Sequence, residues 1–344
     1  MTKKVTIRDI AREAGVSVCC VSWVLGNHPR SKVVSEKTRQ RILDAAASLG
    51  YVQNQLAAAT RTGQVNTIAV ILDFSYWQNI SASSQIMTGL MMEASSRKYS
   101  VKVFSEDDLD GAFRTIAENR IGKVIMISVN HDPREKAALL AEKYSLDLVY
   151  AYEHGHRNFP AVNVDNAEMT SKMVHYLAEK RHTRIGLLCV PHRAHYVEER
   201  HTGYLRGMEE CGLKVDPHWI CCSDDIEQTV KNMLCLPQKQ RPTALVALAA
   251  QLAAKVQSYA VRNGLCFPKD ISVIGIGDTE TARQLAYPLT TMRESLEETG
   301  KLLVKLVLGE KPDIRPDEYN VYRTHAELIE RESVFNINNQ RRSK

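Results

Sequence analysis

Three side chains in the middle of the chain, His192, His195 and Glu199, fall at helical spacing and would set two imidazoles and a carboxylate on one face, the donor types of a metal site. Such spacing arises readily on polar surface helices, and no nucleophile elbow or Walker loop accompanies it. Gly275-Ile276-Gly277 lacks the downstream glycine of a dinucleotide loop. The eight cysteines include the adjacent pairs Cys19–Cys20 and Cys221–Cys222, which are poorly spaced for joint ligation. There is no Cys-x-x-Cys pair and no disulfide framework, so they read as buried or reduced thiols. No enzyme chemistry, cofactor or metal is expected from these residues.

Charge points to a different chemistry. Residues 1–63 carry ten Lys and Arg against four acids, a net +6, whereas the whole chain is +5 and the remainder therefore −1. A positive surplus confined to one small module is what phosphate binding requires. The elements that would carry it are short helices. Ile7, Ile10, Ala11 and Ala14 share one face at helical spacing behind a cap at Thr6, with Asp9 favouring the positive helix end. Gly15 suits a left-handed turn and Ser17 caps a second helix, Val18–Leu25. That helix buries Val21, Val24 and Leu25 and turns Val18, Cys19, Ser22 and Trp23 outward. A third helix runs from Ser35 through Ile42, Ala45, Ala46 and Leu49 to Gly50. Helix, tight turn and second helix form the geometry that places a short helix in the DNA major groove.

At 344 residues, 44% apolar and 25% charged, the chain has the balance of a soluble globular protein of about two domains plus a small head. No apolar run approaches the ~20 residues of a membrane helix, and Met-Thr-Lys-Lys-Val-Thr lacks the apolar core of a signal peptide. A cytoplasmic protein without a membrane partner is expected. From residue 67 the pattern alternates. Strand-like runs occur at 67–73, 101–104, 123–129, 147–152, 184–190, 244–248 and 271–276. Helical patterns intervene at 86–97, 134–144, 169–180, 204–211, 252–263 and 296–308. This implies an α/β core of two doubly wound parallel-sheet lobes behind an all-α head, with any ligand at the carboxyl ends of the strands.

The motifs Thr6-Ile7-x-Asp9-Ile10-Ala11-x-x-Ala14-Gly15-Val16-Ser17, Val21-Ser22-x-Val24-Leu25 and Leu49-Gly50-Tyr51-x-x-Asn54 resemble the lactose-repressor (LacI/GalR) family. So, in order, do Val164-Asp165-Asn166, Arg200-x-x-Gly203-Tyr204, Pro242-Thr243-Ala244, Asp270-Ile271-Ser272-Val273-Ile274-Gly275 and Leu289-Thr290-Thr291. The resemblance implies a periplasmic-binding-protein-like core, a homodimer on a near-palindromic double-stranded DNA operator, and a small-molecule effector between the lobes. It implies a helix-turn-helix head at 1–50, a hinge at 51–63, one lobe from 64–161 and 291–321, a second from 162–290 and 322–334, and a tail at 335–344. By position, Thr6, Ser17, Ser22, Ser35, Thr38, Tyr51 and Asn54 touch phosphates or fix the head on DNA. Val18, Cys19 and Trp23 stand at base-reading positions. Ala57 and Thr60 lie in the hinge at the minor groove.

The departures from the family pattern are specific. Trp23 replaces a usual arginine, so it offers a thymine methyl or a sugar an apolar contact in place of a guanine pair worth about 1–3 kcal/mol; alternatively it folds back on the head's own core. Gln53 replaces a proline, and Thr60 replaces the leucine wedge that offsets the cost of unstacking a base step. In the cleft, Tyr152, Ala249, Ala250 and Gly277 stand where the family usually has polar groups for sugar hydroxyls. Arg200 is retained and Asp278 follows Gly277, while Phe74, Tyr76 and Trp77 add aromatic surface. Phe74, Trp77, Tyr152, Arg200, Ala250 and Asp278 are therefore the expected effector residues, suited to an anionic or aromatic ligand better than to a plain sugar. An empty cleft with Arg200 in a structural ion pair is the other reading. If the head binds DNA through its charge, log affinity falls against log salt by ~0.9 per phosphate neutralised; a titration from 50 to 200 mM salt that comes out flat refutes this.

Overall fold

A computed structural model describes residues 5–26, 28–51, 65–74, 80–189, 194–223 and 225–338. The chain divides into two compact units, Met1–Val65 and Asn66–Lys344.

In the first unit, α1 (Ile7–Ala14), α2 (Val18–Leu25) and α3 (Glu36–Ser48) close around Ile10, Val21, Val24 and Ile42, all nearly inaccessible. Three helices of this length are marginal alone, and burial of one apolar face of each against the others stabilises them. Gly15, at φ 61°, turns the chain between α1 and α2, and Ser17 Oγ accepts from the Cys20 amide at 3.2 Å to cap α2. At α1 the Asp9 carboxylate accepts from both the amide and the hydroxyl of Thr6, at 2.9 and 2.6 Å. Ser35 caps α3 through the Thr38 amide at 3.3 Å, so the helix starts one residue later than the pattern implied.

The second unit holds two parallel-sheet lobes. The N-lobe contains β1 (Thr67–Leu72), α4 (Ile80–Ser96), β2 (Ser100–Ser105), α5 (Leu109–Glu118), β3 (Lys123–Ile127), α6 (His131–Tyr144), β4 (Asp147–Ala151) and β5 (Ala161–Val164). The chain then builds α7 (Asn166–Glu179), β6 (Ile185–Cys189), α8 (His195–Glu210), β7 (Ile220–Cys222), α9 (Ile226–Leu234), β8 (Ala244–Ala247), α10 (Ala250–Arg262), β9 (Ser272–Ile276), α11 (Glu280–Gln284) and β10 (Thr290–Glu294). It returns through α12 (Leu296–Val307) and β11 (Val321–Thr324) and ends with β12 (Ala326–Ile329). Strand order is β11-β5-β4-β3-β1-β2 in one sheet and β12-β10-β9-β8-β6-β7 in the other, parallel except for the β10–β12 pair.

Sheet membership moves the lobe crossings from the expected 161, 290 and 322. β5 still belongs to the N-lobe, β10 to the C-lobe and β11 to the N-lobe, so the chain crosses after Val164, Glu294 and Thr324. The strands β5, β10, β11 and β12 escaped sequence reading because polar residues interrupt their apolar runs, and β7 because it has only three residues. The cysteine expectation also needs correction. Cys189 and Cys222 are disulfide-bonded, their Cα atoms 4.5 Å apart, because β6 and β7 pair in parallel with these two residues in register. A separation of 33 residues conceals that proximity from the sequence.

Helices on each lobe approach closely at glycines. A Cβ on Gly203 of α8 would overlap the Ala167 carbonyl of α7, and one on Gly300 of α12 would overlap the Ile86 carbonyl of α4. Backbone cannot yield as a flexible side chain does. Gly203→Ala is therefore expected to lower unfolding free energy by about 1–3 kcal/mol, read as an earlier urea midpoint; an unchanged midpoint would show that α7 and α8 pack less closely than this.

Candidate nucleic-acid interface and ligand cleft

On the head, the outward face of α2 is apolar. Val18 is 45% exposed and Cys19 is exposed, while Ser22 and Trp23 are half-buried. Trp23 is not part of the head core. Its ring stacks against His28 at 6.3 Å, and the Arg30 guanidinium lies 5.8 Å from its centroid. That cluster keeps a rigid aromatic surface beside a cation. Ser35 and Thr38 share a hydroxyl hydrogen bond of 2.9 Å at the start of α3, whereas Tyr51 packs against the head core. Asn54, Ala57, Thr60 and Trp77 lie outside the described residues.

Between the lobes of the second unit lies a cavity of about 200 Å³. Tyr152, Arg200 and Asp278 line it, as expected. Ala250 does not: it is buried as the first residue of α10, and its neighbours Ala249 and Gln251 reach the cavity in its place. Phe74 is 45% exposed and is not among the lining residues. Sequence reasoning missed Asn163, Tyr196, Gln85 and Glu294, all of which face the cavity. Only Tyr196 left a signal, because it precedes Arg200 by one helical turn on α8.

All three guanidinium nitrogens of Arg200 are bonded within the protein. Its Nε donates to Asn166 Oδ1 (2.8 Å), Nη1 to the Leu248 carbonyl (3.0 Å) and Nη2 to Glu294 (2.9 Å), and its guanidinium carbon sits 4.9 Å from the centre of the Tyr196 ring. Asp278 is ringed by cations: Arg331 at 2.6 Å, Arg283 at 3.0 Å and Arg293 at 3.8 Å. Burial opposes its ionisation, but Arg283 and Arg331 outweigh that and hold its carboxyl below the usual range. Asn163 differs. It is 3% exposed, its Oδ1 accepts from the Val164 amide, and its Nδ2 has no hydrogen-bond partner among the described residues. A buried donor without an acceptor costs ~1–3 kcal/mol, which a ligand acceptor would relieve.

A polar seam beside the cavity joins the lobes. Tyr152 and Glu153, consecutive non-glycine residues at φ 61° and 53°, turn the chain at the end of β4. Arg134 of α6, 5% exposed, holds this turn by donating to the carbonyls of Ala151, Tyr152 and His154, with its guanidinium over the Tyr150 ring. Burial pulls its pKa down to about 10 against the attraction of Glu153. So aimed, Glu153 accepts from the His195 amide at 2.9 Å, at the N-terminus of α8 in the other lobe, a place where a carboxylate suits the helix dipole. Arg323 of β11 then grips Glu199 of α8 at 2.7 and 3.2 Å and Asp317 at 2.8 Å. His154 stacks on His195 at 4.6 Å and bonds Glu199 at 3.2 Å. His195 and Glu199 thus serve the seam, His192 lies outside the described residues, and among the described residues no group of three donors could hold a metal.

A family model of bacterial regulatory proteins, lacI family, matches residues 6–54, and a periplasmic binding protein-like domain matches residues 174–334. The transcriptional repressor PurR of Aliivibrio fischeri (strain MJ11) is 28% identical over 345 residues, covering 96% of this chain and 98% of that protein. CytR, a transcriptional repressor of Escherichia coli (strain K12), is 28% identical over 314 residues, 89% of each chain. The structure of the lac repressor dimer bound to operator and the anti-inducer ONPF superposes with a TM-score of 0.74 at 22% identity, covering 97% of this chain and 100% of that one, a likeness of fold. Helix-turn-helix head and periplasmic-binding-protein-like lobes together define a DNA-binding transcription regulator, not an enzyme. The chain thus carries a DNA-binding domain of the lacI family followed by a periplasmic binding protein-like domain.

Glu199 gives a pH test of the seam. Burial works against its charge, but Arg323, Asn166 and His154 together hold its carboxyl below the usual range. A depressed carboxylate stabilises the fold above its unfolded pKa of about 4.3, and that contribution is lost as pH falls through the folded value. Glu199→Gln should lower the melting temperature at pH 7, through a loss of at least about 1 kcal/mol, and flatten the acid limb below pH 4.3. Equal melting of both proteins across pH 3 to 7, read by calorimetry, would sink the assignment.

Proposed function

We propose that this chain is a homodimeric, cytoplasmic transcriptional repressor that reads a near-palindromic operator through α2 and is reset by a small molecule between its lobes. The carrying observation is the outward face of α2: Val18, Cys19 and Trp23 present apolar surface at the reading positions, next to the charge that neutralises phosphates. Thr6, Ser17, Ser22, Ser35 and Thr38 set the head on the backbone, and Tyr51, Asn54, Ala57 and Thr60 extend that contact toward the minor groove. With Trp23 in place of arginine, each half-site favours thymine over guanine at the facing position. The effector is uncharged and planar or apolar, with one acceptor for Asn163, because Arg200 and Asp278 are engaged within the protein and much of the lining is apolar. An anion would have to displace Glu294 from Arg200.

Selection of bound duplexes from a random pool at ~150 mM salt, where non-specific phosphate attraction is weakened, tests the DNA arm. The expected product is a palindromic A/T-rich motif, and Trp23→Arg should move preference toward guanine by about 1–3 kcal/mol. A folded dimer that enriches no motif would instead be a ligand sensor or scaffold with a degenerate head. For the cleft, neutral heteroaromatic compounds should raise the melting temperature where monosaccharides do not; stabilisation by a plain sugar would overturn the ligand assignment.

A further inference from the structure

The ligand cavity borders a disulfide that the DNA-regulator reading does not use. Cys189 ends β6, is 1% exposed and lines the cavity; Cys222 ends β7 and is exposed. In a parallel pair, registered residues face the same side, so the two side chains meet while Cys221, one residue back on β7, points the other way. β7 is only three residues long and lies at the sheet edge. Its hold on β6 rests on three registered pairs and on the Ser223 amide, which donates to the Cys189 carbonyl at 3.2 Å. Such an edge is marginal without a covalent tie.

We propose that Cys189 and Cys222 form a reversible thiol–disulfide site that sets the floor of the cleft, and through it the DNA affinity of the regulator. The proposal rests on the DNA-regulator reading for its effect but not for its chemistry. The accessible Cys222 thiolate attacks a small-molecule disulfide, such as oxidised glutathione, and one thiolate leaves. The buried Cys189 then attacks the Cys222 sulfur of the mixed disulfide and expels the second. Two protein thiols lose two electrons and two protons, and the small disulfide becomes two thiols. In the oxidised form β7 is stapled and the Cys189 sulfur is tied back to the strand edge. In the reduced form the Cys189 thiol is free at the cavity wall and β7 is held by its hydrogen bonds and by the packing of Ile220 and Cys221 on the core.

The test equilibrates the full-length protein in glutathione buffers of graded redox poise, blocks free thiols with N-ethylmaleimide in denaturant so that buried thiols also react, and counts labels by mass. The oxidised protein should take six labels, one for each free cysteine, and the reduced protein eight. Amide exchange at residues 220–223 should quicken on reduction, and affinity for the selected duplex should change at least threefold along the same transition. Cys222→Ser should abolish the redox dependence of affinity. Eight labels at every poise, or an affinity that ignores the transition, overturns the proposal, as does a redox response that survives in Cys222→Ser. If no duplex binds in either form, the regulator reading fails, and label count with amide exchange still decides the site.

Discussion

The pairing of Arg323 with Glu199 is the contact on which the two-lobed unit turns. Arg323 comes from β11 of one sheet and Glu199 from α8 of the other lobe, and the pair continues without a break through Asn166 to Arg200 and Glu294. Each member is at least partly removed from water, so each charge depends on its neighbours for the hydrogen bonds that water would otherwise supply. A chain of this kind is cooperative: breaking one link leaves the next group buried and unpaired. It therefore holds the lobes in one arrangement, yet a ligand that bonds to one of its members can bias another.

The same logic explains the backbone beside it. Two consecutive left-handed residues at the end of β4 are unfavourable in isolation, and the Arg134 guanidinium compensates by gathering the carbonyls that the turn exposes. The result aims Tyr152 at the cavity and Glu153 at the α8 N-terminus of the facing lobe. Tyr152 and Glu153 thus divide the work, one toward the ligand space and the other toward lobe closure. A ligand that shifts the first also disturbs the second, a short physical route from occupancy to lobe geometry.

The head shows the opposite economy. Its core is small, its caps are local, and its outward surface is set by which side of α2 faces inward. Trp23 is half-buried beside His28 and Arg30 and is not part of the head core. Side chains that read by shape and apolar contact distinguish thymine from other bases through its methyl group, a weaker code than paired hydrogen bonds.

Much of this was legible in the sequence because it is local. Helix faces follow from 3.6-residue spacing, turns from Gly15, caps from Thr6 and Ser17, and the alternation of strand and helix from residue 67 onward follows from apolar runs between amphipathic stretches. Arg200, Tyr152 and Asp278 could be placed at the cleft because they fall at or beside positions that hold the effector in the family the sequence resembles. What stayed hidden depends on pairs distant in sequence. Whether Arg200 is free for a ligand depends on Glu294, 94 residues away, and the bond between Cys189 and Cys222 depends on the register of two strands. The lobe crossings moved by a few residues because strand ownership is decided by hydrogen bonds between neighbours, not by the strand's own composition. Sequence alone determined the elements and the faces they bury, since those are set within a few residues. Only the tertiary structure decided which charges are already paired and which donor, Asn163 Nδ2, is left without a partner among the described residues, since pairing is a property of groups that folding alone brings together.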